Sequence, residues 1–202
     1  MELYVNGEKL DVTLENEKTV GEVLRSFEIT CEENHMATIG IVLNGTQISA
    51  DDFDRAAAEL LTDSTKIELT VVTEQEIKDA FITLGQKFRS LAAAMEEIPS
   101  KLQANKADDS KSSITSLADT VDDFCHTATM SALFPETYGN LKINGNPLHE
   151  FFADFAQILA DFQKAFVEKD IVSIGDIAEY EICPRLSAIA DAIDTVTGEQ
   201  AS

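Results

Sequence analysis

Basic residues are scarce in this chain of 202 residues. Fifteen lysines and arginines stand against 37 aspartates and glutamates, a formal net charge of −22. The imbalance is not local: residues 1–73 carry 15 acidic and 5 basic side chains, and the remainder 22 and 10. Such a field repels phosphate backbones and anionic lipid surfaces, which argues against nucleic-acid and membrane partners; it is compatible with solubility alone or with steering towards a basic protein partner. Cysteine is also rare, with only Cys31, Cys125 and Cys183. They are odd in number, far apart and without a C-x-x-C pair, the pattern of reduced packing thiols in a cytoplasm. No run approaches the roughly 18 apolar residues that span a bilayer, and no basic, apolar leader precedes the first strand pattern. Neither G-x-x-x-x-G-K-[ST] nor G-x-G-x-x-G occurs, so no phosphate loop is legible. An intracellular, cytoplasmic globular protein is expected, since the 44% hydrophobic content is ordinary for a folded chain.

The first third has the patterning of a small sheet with helices. Leu3, Val5, Leu10, Val12 and Leu14 alternate on either side of Asn6-Gly7, the dipeptide preferred in two-residue hairpins. Thr19 is placed to cap a helix whose inward positions are Val20, Val23, Leu24 and Phe27. Residues 38–43 form an apolar run that predicts a central strand buried on both faces. Asn44-Gly45 turns it back, residues 49–61 predict a short helix holding Phe53, Ala57, Leu60 and Leu61, and residues 66–72 predict the last strand.

Taken together, Leu3-Tyr4-Val5-Asn6-Gly7-Glu8, Thr19-Val20-Gly21-Glu22-Val23-Leu24, Ile39-Gly40-Ile41-Val42-Leu43-Asn44-Gly45 and Lys66-Ile67-Glu68-Leu69-Thr70-Val71-Val72 resemble the ThiS/MoaD-type sulfur carriers of ubiquitin-like β-grasp fold. The resemblance implies a β-grasp domain over residues 1–73. In that family the last strand ends at a Gly-Gly whose carboxylate is adenylated and sulfurated. Val72-Thr73-Glu74 stands there instead, and the sequence ends on Gly198-Glu199-Gln200-Ala201-Ser202. The family's chemistry is therefore not expected here.

From Glu74 the period changes. Ile77, Phe81, Leu84, Phe88, Leu91, Met95, Ile98 and Leu102 recur at alternating steps of four and three, which predicts a helix packed at a shallow angle, kinked or ended near Ile98 by Pro99. Residues 103–113 are small and polar, the pattern of a surface loop or frayed helix end. A second helix holds Ile114, Leu117, Val121, Phe124, Ala128 and Met130 or Ser131. Asn146-Pro147 reads as the start of a third, with Leu148, Phe151, Phe152, Phe155, Leu159, Phe162 and Phe166 inward. Ser173-Ile174-Gly175-Asp176 has capping-box form and opens a fourth, with Ile177, Ile182, Leu186, Ile189, Ile193 and Val196 inward and Pro184 as an internal kink. The fold predicted is α+β: an N-terminal ubiquitin-like β-grasp domain (1–73) and an all-α four-helix bundle (74–202). The second part is similar to helical bacterial proteins of no assigned activity.

Candidate chemistry is sparse. Asp123 and His126, with Asp122 beside them, share a helical face in the manner of a di-iron bundle, but no second such motif exists to complete one. Cys125 and His126 are consecutive and point about 100° apart, so they form no nucleophilic pair. No catalytic residue, cofactor or metal ligand is assigned. The segment Leu133–Gly145 is too apolar for a solvated linker; it either packs over the bundle end or presents Phe134 and Tyr138 as a contact surface. Asp176, Glu179 and Tyr180 on the kinked fourth helix are the other candidate partner-binding residues, with Glu181 and Arg185 spaced to pair. Eleven phenylalanines, most of them from Phe81 onward, suggest apolar surface left over for a homodimer or heterocomplex through the helical half. The function expected is a non-catalytic intracellular interaction protein, an adaptor or scaffold. Its competitors are an acidic secretion or flagellar-export chaperone and a carboxylate-rich metal-binding bundle. Incubation with a carrier-activating enzyme and ATP is expected to leave neither acyl-adenylate nor thiocarboxylate on this protein; either adduct, seen by mass spectrometry, contradicts the reading of Val72-Thr73-Glu74.

Overall fold

The Asn-Gly turns set the local geometry of the first third. The computed structural model describes the backbone of residues 1–103 and 107–198 and the side chains of 1–101 and 112–198. Residue contacts divide the chain into two units, Met1–Glu76 and Ile77–Ser202.

In the first unit, strands β1 (Glu2–Val5) and β2 (Glu8–Leu10) pair antiparallel around Asn6 and Gly7, whose φ angles are 49° and 84°. That left-handed region is the one Asn and Gly tolerate. The strand predicted through Val12 and Leu14 stops at Leu10, because β1 begins at Glu2 and its pairing with β2 runs out there. Helix α1 (Val20–Glu33) opens on a capping box. The Thr19 hydroxyl accepts from the Glu22 amide at 3.3 Å, and the Glu22 carboxylate accepts from the Thr19 amide at 3.0 Å, satisfying two donors that a helix start otherwise leaves open. Strand β3 (Met36–Leu43) turns through Asn44-Gly45 into β4 (Thr46–Gln47). A 3₁₀ turn (Ala50–Asp52), capped by Ser49, leads into helix α2 (Phe53–Ala57), and strand β5 (Lys66–Thr73) closes the unit.

The sheet order is β2-β1-β5-β3-β4, with β1 parallel to β5 and the other neighbours antiparallel. Leu3, Val20, Val23, Leu43, Ala56, Ile67 and Leu69 form its core. Gly21 permits the close approach of α2: a Cβ there would sit 2.9 Å from the Ala57 Cβ. The expectation of a β3 buried on both faces is corrected. Only Leu43 of β3 is buried, and Ile39 is 41% exposed. One face of the sheet lacks a helix within this unit, and β4 covers only the end of β3.

The second unit is helical. The predicted seam is realised in helix α3 (Glu74–Glu96), where Ile77, Phe81, Leu84, Phe88, Leu91 and Met95 are all buried. The helix ends at Glu96 and helix α4 (Ile98–Gln103) restarts with Pro99 in its first turn, where a missing N–H costs no hydrogen bond. Ile98 is fully buried; the Leu102 side chain lies outside the described residues. Of the two alternatives for residues 103–113, the helix end applies: Gln103 closes α4 and 107–113 open helix α5 (Ala107–Ser131), while 104–106 lie outside the described residues. At the far end of α5 it is Ser131, not Met130, that is buried.

Helix α6 (Pro135–Tyr138) and a small hairpin follow. The hairpin pairs β6 (Lys142–Ile143) with β7 (Asn146–Pro147) around Asn144-Gly145. Asn146 and Pro147 are thus strand residues, and helix α7 (Leu148–Glu168) starts directly after them with no side-chain cap. Helix α8 (Ile171–Asp176) starts two residues before the predicted box. Its cap is Asp170, whose carboxylate accepts from the Ser173 amide at 3.1 Å and the Ser173 hydroxyl at 2.7 Å. A π-helical turn (Ile177–Ile182) joins α8 to helix α9 (Cys183–Thr197). The π turn lies just before Pro184, where the proline removes an amide donor and its ring crowds the preceding turn.

The interior is aromatic. Phe124 is fully buried, with ring centroids 5.9 Å from Phe81, 5.8 Å from Phe88 and 5.6 Å from Phe152. Phe151 and Phe155 extend the cluster along α7, and Tyr138 joins it at 5.5 Å from Phe81. Phe134 and Tyr138 are 9% and 4% exposed. Both are buried, and Tyr138 packs on Phe81, as the alternative of a segment packed over the bundle end expects. Of the nine phenylalanines in this unit, seven are buried and Phe152 and Phe166 are half-buried.

Replacing Phe124 with alanine is expected to destabilise the helical unit by about 3–5 kcal/mol, the range for a large aromatic lost from a packed core. Urea unfolding followed by far-UV circular dichroism checks this; a loss under about 1 kcal/mol would mean that the ring is not central to the interior.

Candidate interaction groove

The two edges of the first unit's sheet are built differently. On one side, β2 is three residues long and presents Glu8, Lys9 and Leu10, all exposed. Short, charged edges of this kind resist added strands. On the other side, β4 pairs only with Val42 and Leu43, and the last backbone contact along that row is the Ile48 amide donating to the Ile41 carbonyl at 2.9 Å. Among the described residues, Met36–Gly40 have β5 as their strand partner and none on the outer side. The register slips between Thr38 and Gly40, so Ile39 has no partner opposite and bulges outward.

A groove of about 480 Å³ runs along this open edge, between it and α1. Leu24 and Phe27 of α1 form one wall, Ile39 and Ile41 the other, and Ile48 with Phe53 closes the end. Phe53 is 39% exposed. The position of each wall follows from the chain: the capping box fixes the start of α1, and the Ser49-capped turn swings Phe53 over the β3–β4 end. A second cleft, lined by Leu24, Arg25, Glu28, Phe53 and Asp54, adjoins the first. Charge around the groove is mostly negative. Glu28 is in the groove wall, and Asp51 and Asp54 stand beside Phe53. None of the three has an ion-pair partner among the described residues, whereas Asp52 holds Arg55 at 2.8 Å.

The residues singled out from sequence in the second unit occupy separate places. Asp176, Glu179 and Tyr180 are exposed, Tyr180 to 65%. The Glu179 carboxylate accepts from the Tyr180 hydroxyl, and with the Asp176 charge it holds the phenol above its ordinary range. The predicted Glu181–Arg185 pair is formed at 2.7 Å, and Arg185 also binds Asp154 of α7 at 2.7 Å, a link the sequence spacing alone did not indicate. Asp123 binds Lys87 of α3 at 3.1 Å, and His126 is exposed. Among the described residues no group of three or more His, Cys, Asp or Glu side chains is arranged to hold a metal ion. No helix among them is long and apolar enough to cross a membrane.

The thiols differ in environment. Cys31 and Cys183 are buried and Cys125 is exposed. Burial, reinforced by the charges of Glu96 and Glu179, pushes the Cys183 thiol up to about 11, and the thiol donates to the Ala92 carbonyl at 3.3 Å. It is therefore protonated and unreactive near neutrality.

The structure defines a mixed α+β protein with an N-terminal sheet unit, which carries an apolar groove, and a C-terminal helical unit. Residues 79–192, more than half of the sequence, match the family described as a domain of unknown function, DUF8042, and the chain belongs to that family. Residues 1–73 match the family described as the TP0873 N-terminal domain. A protein of Treponema pallidum (strain Nichols), described as an uncharacterized protein, is 26% identical over 193 residues that cover 96% of each chain. No solved structure matches the chain.

A thiol reagent at pH 8 is expected to label one cysteine rapidly, Cys125, with Cys31 and Cys183 reacting only on unfolding. The raised Cys183 pKa also fixes a sign. The native state keeps this proton after the unfolded state has lost it, so stability falls as pH rises from 9.0 through about 11. Rapid modification of all three thiols in the native protein would contradict the burial of Cys31 and Cys183.

Proposed function

We propose that the chain is a non-catalytic intracellular protein-interaction module, an adaptor or scaffold, in which residues 1–73 are a ubiquitin-like β-grasp domain and residues 74–202 a helical bundle built on α3, α5, α7 and the α8–α9 pair. The strand order β2-β1-β5-β3-β4, the parallel β1·β5 pair and the helix between β2 and β3 support the β-grasp reading. The separate family matches to residues 1–73 and 79–192 support the division. Single buried thiols at Cys31 and Cys183 suit a reducing compartment.

The observation that carries the function is the open outer edge of β3 beside an apolar groove. An unpaired strand edge offers backbone donors and acceptors that an extended segment can complete, while an adjoining groove receives its alternate side chains. This reading puts the contact site on the sheet unit and not in the helical half, where the phenylalanines are buried or half-buried and Tyr180 is the exposed aromatic ring among the described residues.

A photo-crosslinking amino acid placed at Ile39 in the native host is expected to capture a discrete partner, whereas the same group at Lys9 on the blunt edge is expected to capture none. If neither position yields an adduct, nor any position scanned over the remaining surface, the interaction reading fails.

A further inference from the structure

The groove's chemistry narrows what it can accept. The exposed residue at the bulge is Ile39, at 41% exposure. Charge, proline and bulges are separate devices that discourage pairing at an edge, and neither of the first two is present between Met36 and Gly40. Here the bulge places an isoleucine beside Leu24, Phe27, Ile41 and Phe53 instead. The uncovered length is short, from Met36 to Gly40, about 16 Å at roughly 3.3 Å per residue. It continues the row that β4 leaves after Gln47, so an incoming segment of about five residues would fill a vacant strand position rather than displace one.

Charge then separates the two kinds of occupant that an open edge admits. A second copy would bring Glu28, Asp51 and Asp54 against the same carboxylates, within two molecules of net charge −22 each. Self-pairing at this edge is therefore opposed. A segment flanked by lysine or arginine would meet those carboxylates, which lack ion-pair partners among the described residues, and Arg25 on the α2 side is the one cation among the residues lining the two clefts.

Building on the interaction reading above, we propose that the β3 groove binds an extended segment of another protein, with alternating apolar residues that pair with Met36–Gly40 and basic residues on its flanks. The apolar side chains turned inward rest on Leu24, Phe27 and Ile41. The backbone supplies the hydrogen bonds, and the flanking cations speed encounter and set the salt dependence.

The test uses the intact chain and a fluorescein-labelled peptide of alternating valine and threonine with paired lysines at both ends. Binding is expected, with amide shifts concentrated in Met36–Gly40 and in α1 near Leu24 and Phe27, and with affinity falling as salt is raised. Glutamates in place of the lysines should weaken it about tenfold, as should E28K in the protein. Methylating alternate peptide-backbone nitrogens should abolish it. Ile39→Lys should do the same while leaving the far-UV spectrum unchanged, since the side chain is exposed. Equal binding of the lysine- and glutamate-flanked peptides overturns the charge selection. Equal binding of the methylated peptide, or shifts located elsewhere, overturns strand addition at β3. No binding by any peptide overturns this inference alone, because the interaction reading is judged by the crosslinking at Ile39 and across the remaining surface. Concentration-dependent dimerisation that broadens the Met36–Gly40 signals would identify a second copy as the occupant and overturn the assignment to a basic partner.

Discussion

Strand β5 is the constraint from which the sheet unit follows. It pairs parallel with β1 over Lys66–Leu69 and antiparallel with β3 over Ile67–Thr73, and on the β1 side the Asn6 side chain bonds the Val71 backbone. Its alternate residues Ile67, Leu69 and Val71 are buried. A strand saturated on both sides can neither accept another strand nor slip by one residue without exposing that apolar row. Any open pairing capacity is thereby pushed outward to β2 and to β3. The chain treats these two edges unequally: β2 is short and charged, whereas β3 extends five residues past its cover and presents isoleucine. The asymmetry is the physical basis for placing recognition on one edge.

The helical unit satisfies itself. Its α3 seam and the aromatic contacts around Phe124 are buried together with Phe134 and Tyr138, while Leu133, Val167, Val172 and Tyr180 are exposed. Backbone irregularities occur where proline demands them, at the α3–α4 break before Pro99 and at the π turn before Pro184. The first leaves Met95 and Ile98 buried, whereas the π turn buries Ala178 and Ile182 and exposes Tyr180. Ion pairs then tie the helices together at the surface, as Arg185 does between α7 and the π turn and Arg89 does between α3 and Asp194 of α9. Exposed pairs of this kind contribute little individually, on the order of 0–1 kcal/mol, so the apolar interior carries the stability of the unit.

Features of local origin were legible in the sequence. The four-three spacing from Ile77 to Met95 is a one-helix pattern, and each of its members is buried, as is Ile98 at the start of α4. The Asn-Gly turns at 6–7, 44–45 and 144–145 all take positive φ, because two adjacent residues decide that geometry. Thr19 was readable as a cap for similar reasons. What escaped depends on partners far along the chain. Residues 38–43 look like a doubly buried strand, but whether an apolar strand is central or half-open is set by how long its neighbour is, and β4 is only two residues. Tyr138 packs on Phe81, which lies more than fifty residues earlier, so its burial was not a local signal. Ser173 and Asp176 had the right spacing for a box, but Asp170 lay within reach of the same amide and helix α8 started there. The candidate groove was missed altogether: its walls come from α1, β3 and the turn before α2, and no contiguous motif spans them.

The account stands on β3 being open in the intact protein. Native-state hydrogen exchange measured residue by residue on the full chain reads this directly. The amides of Ile67, Leu69 and Val71 should exchange only through global opening of the sheet unit. Those amides of Met36–Gly40 turned away from β5 should exchange orders of magnitude faster under the same conditions. Uniform strong protection across Met36–Gly40 would mean that the edge is already covered and would contradict the account.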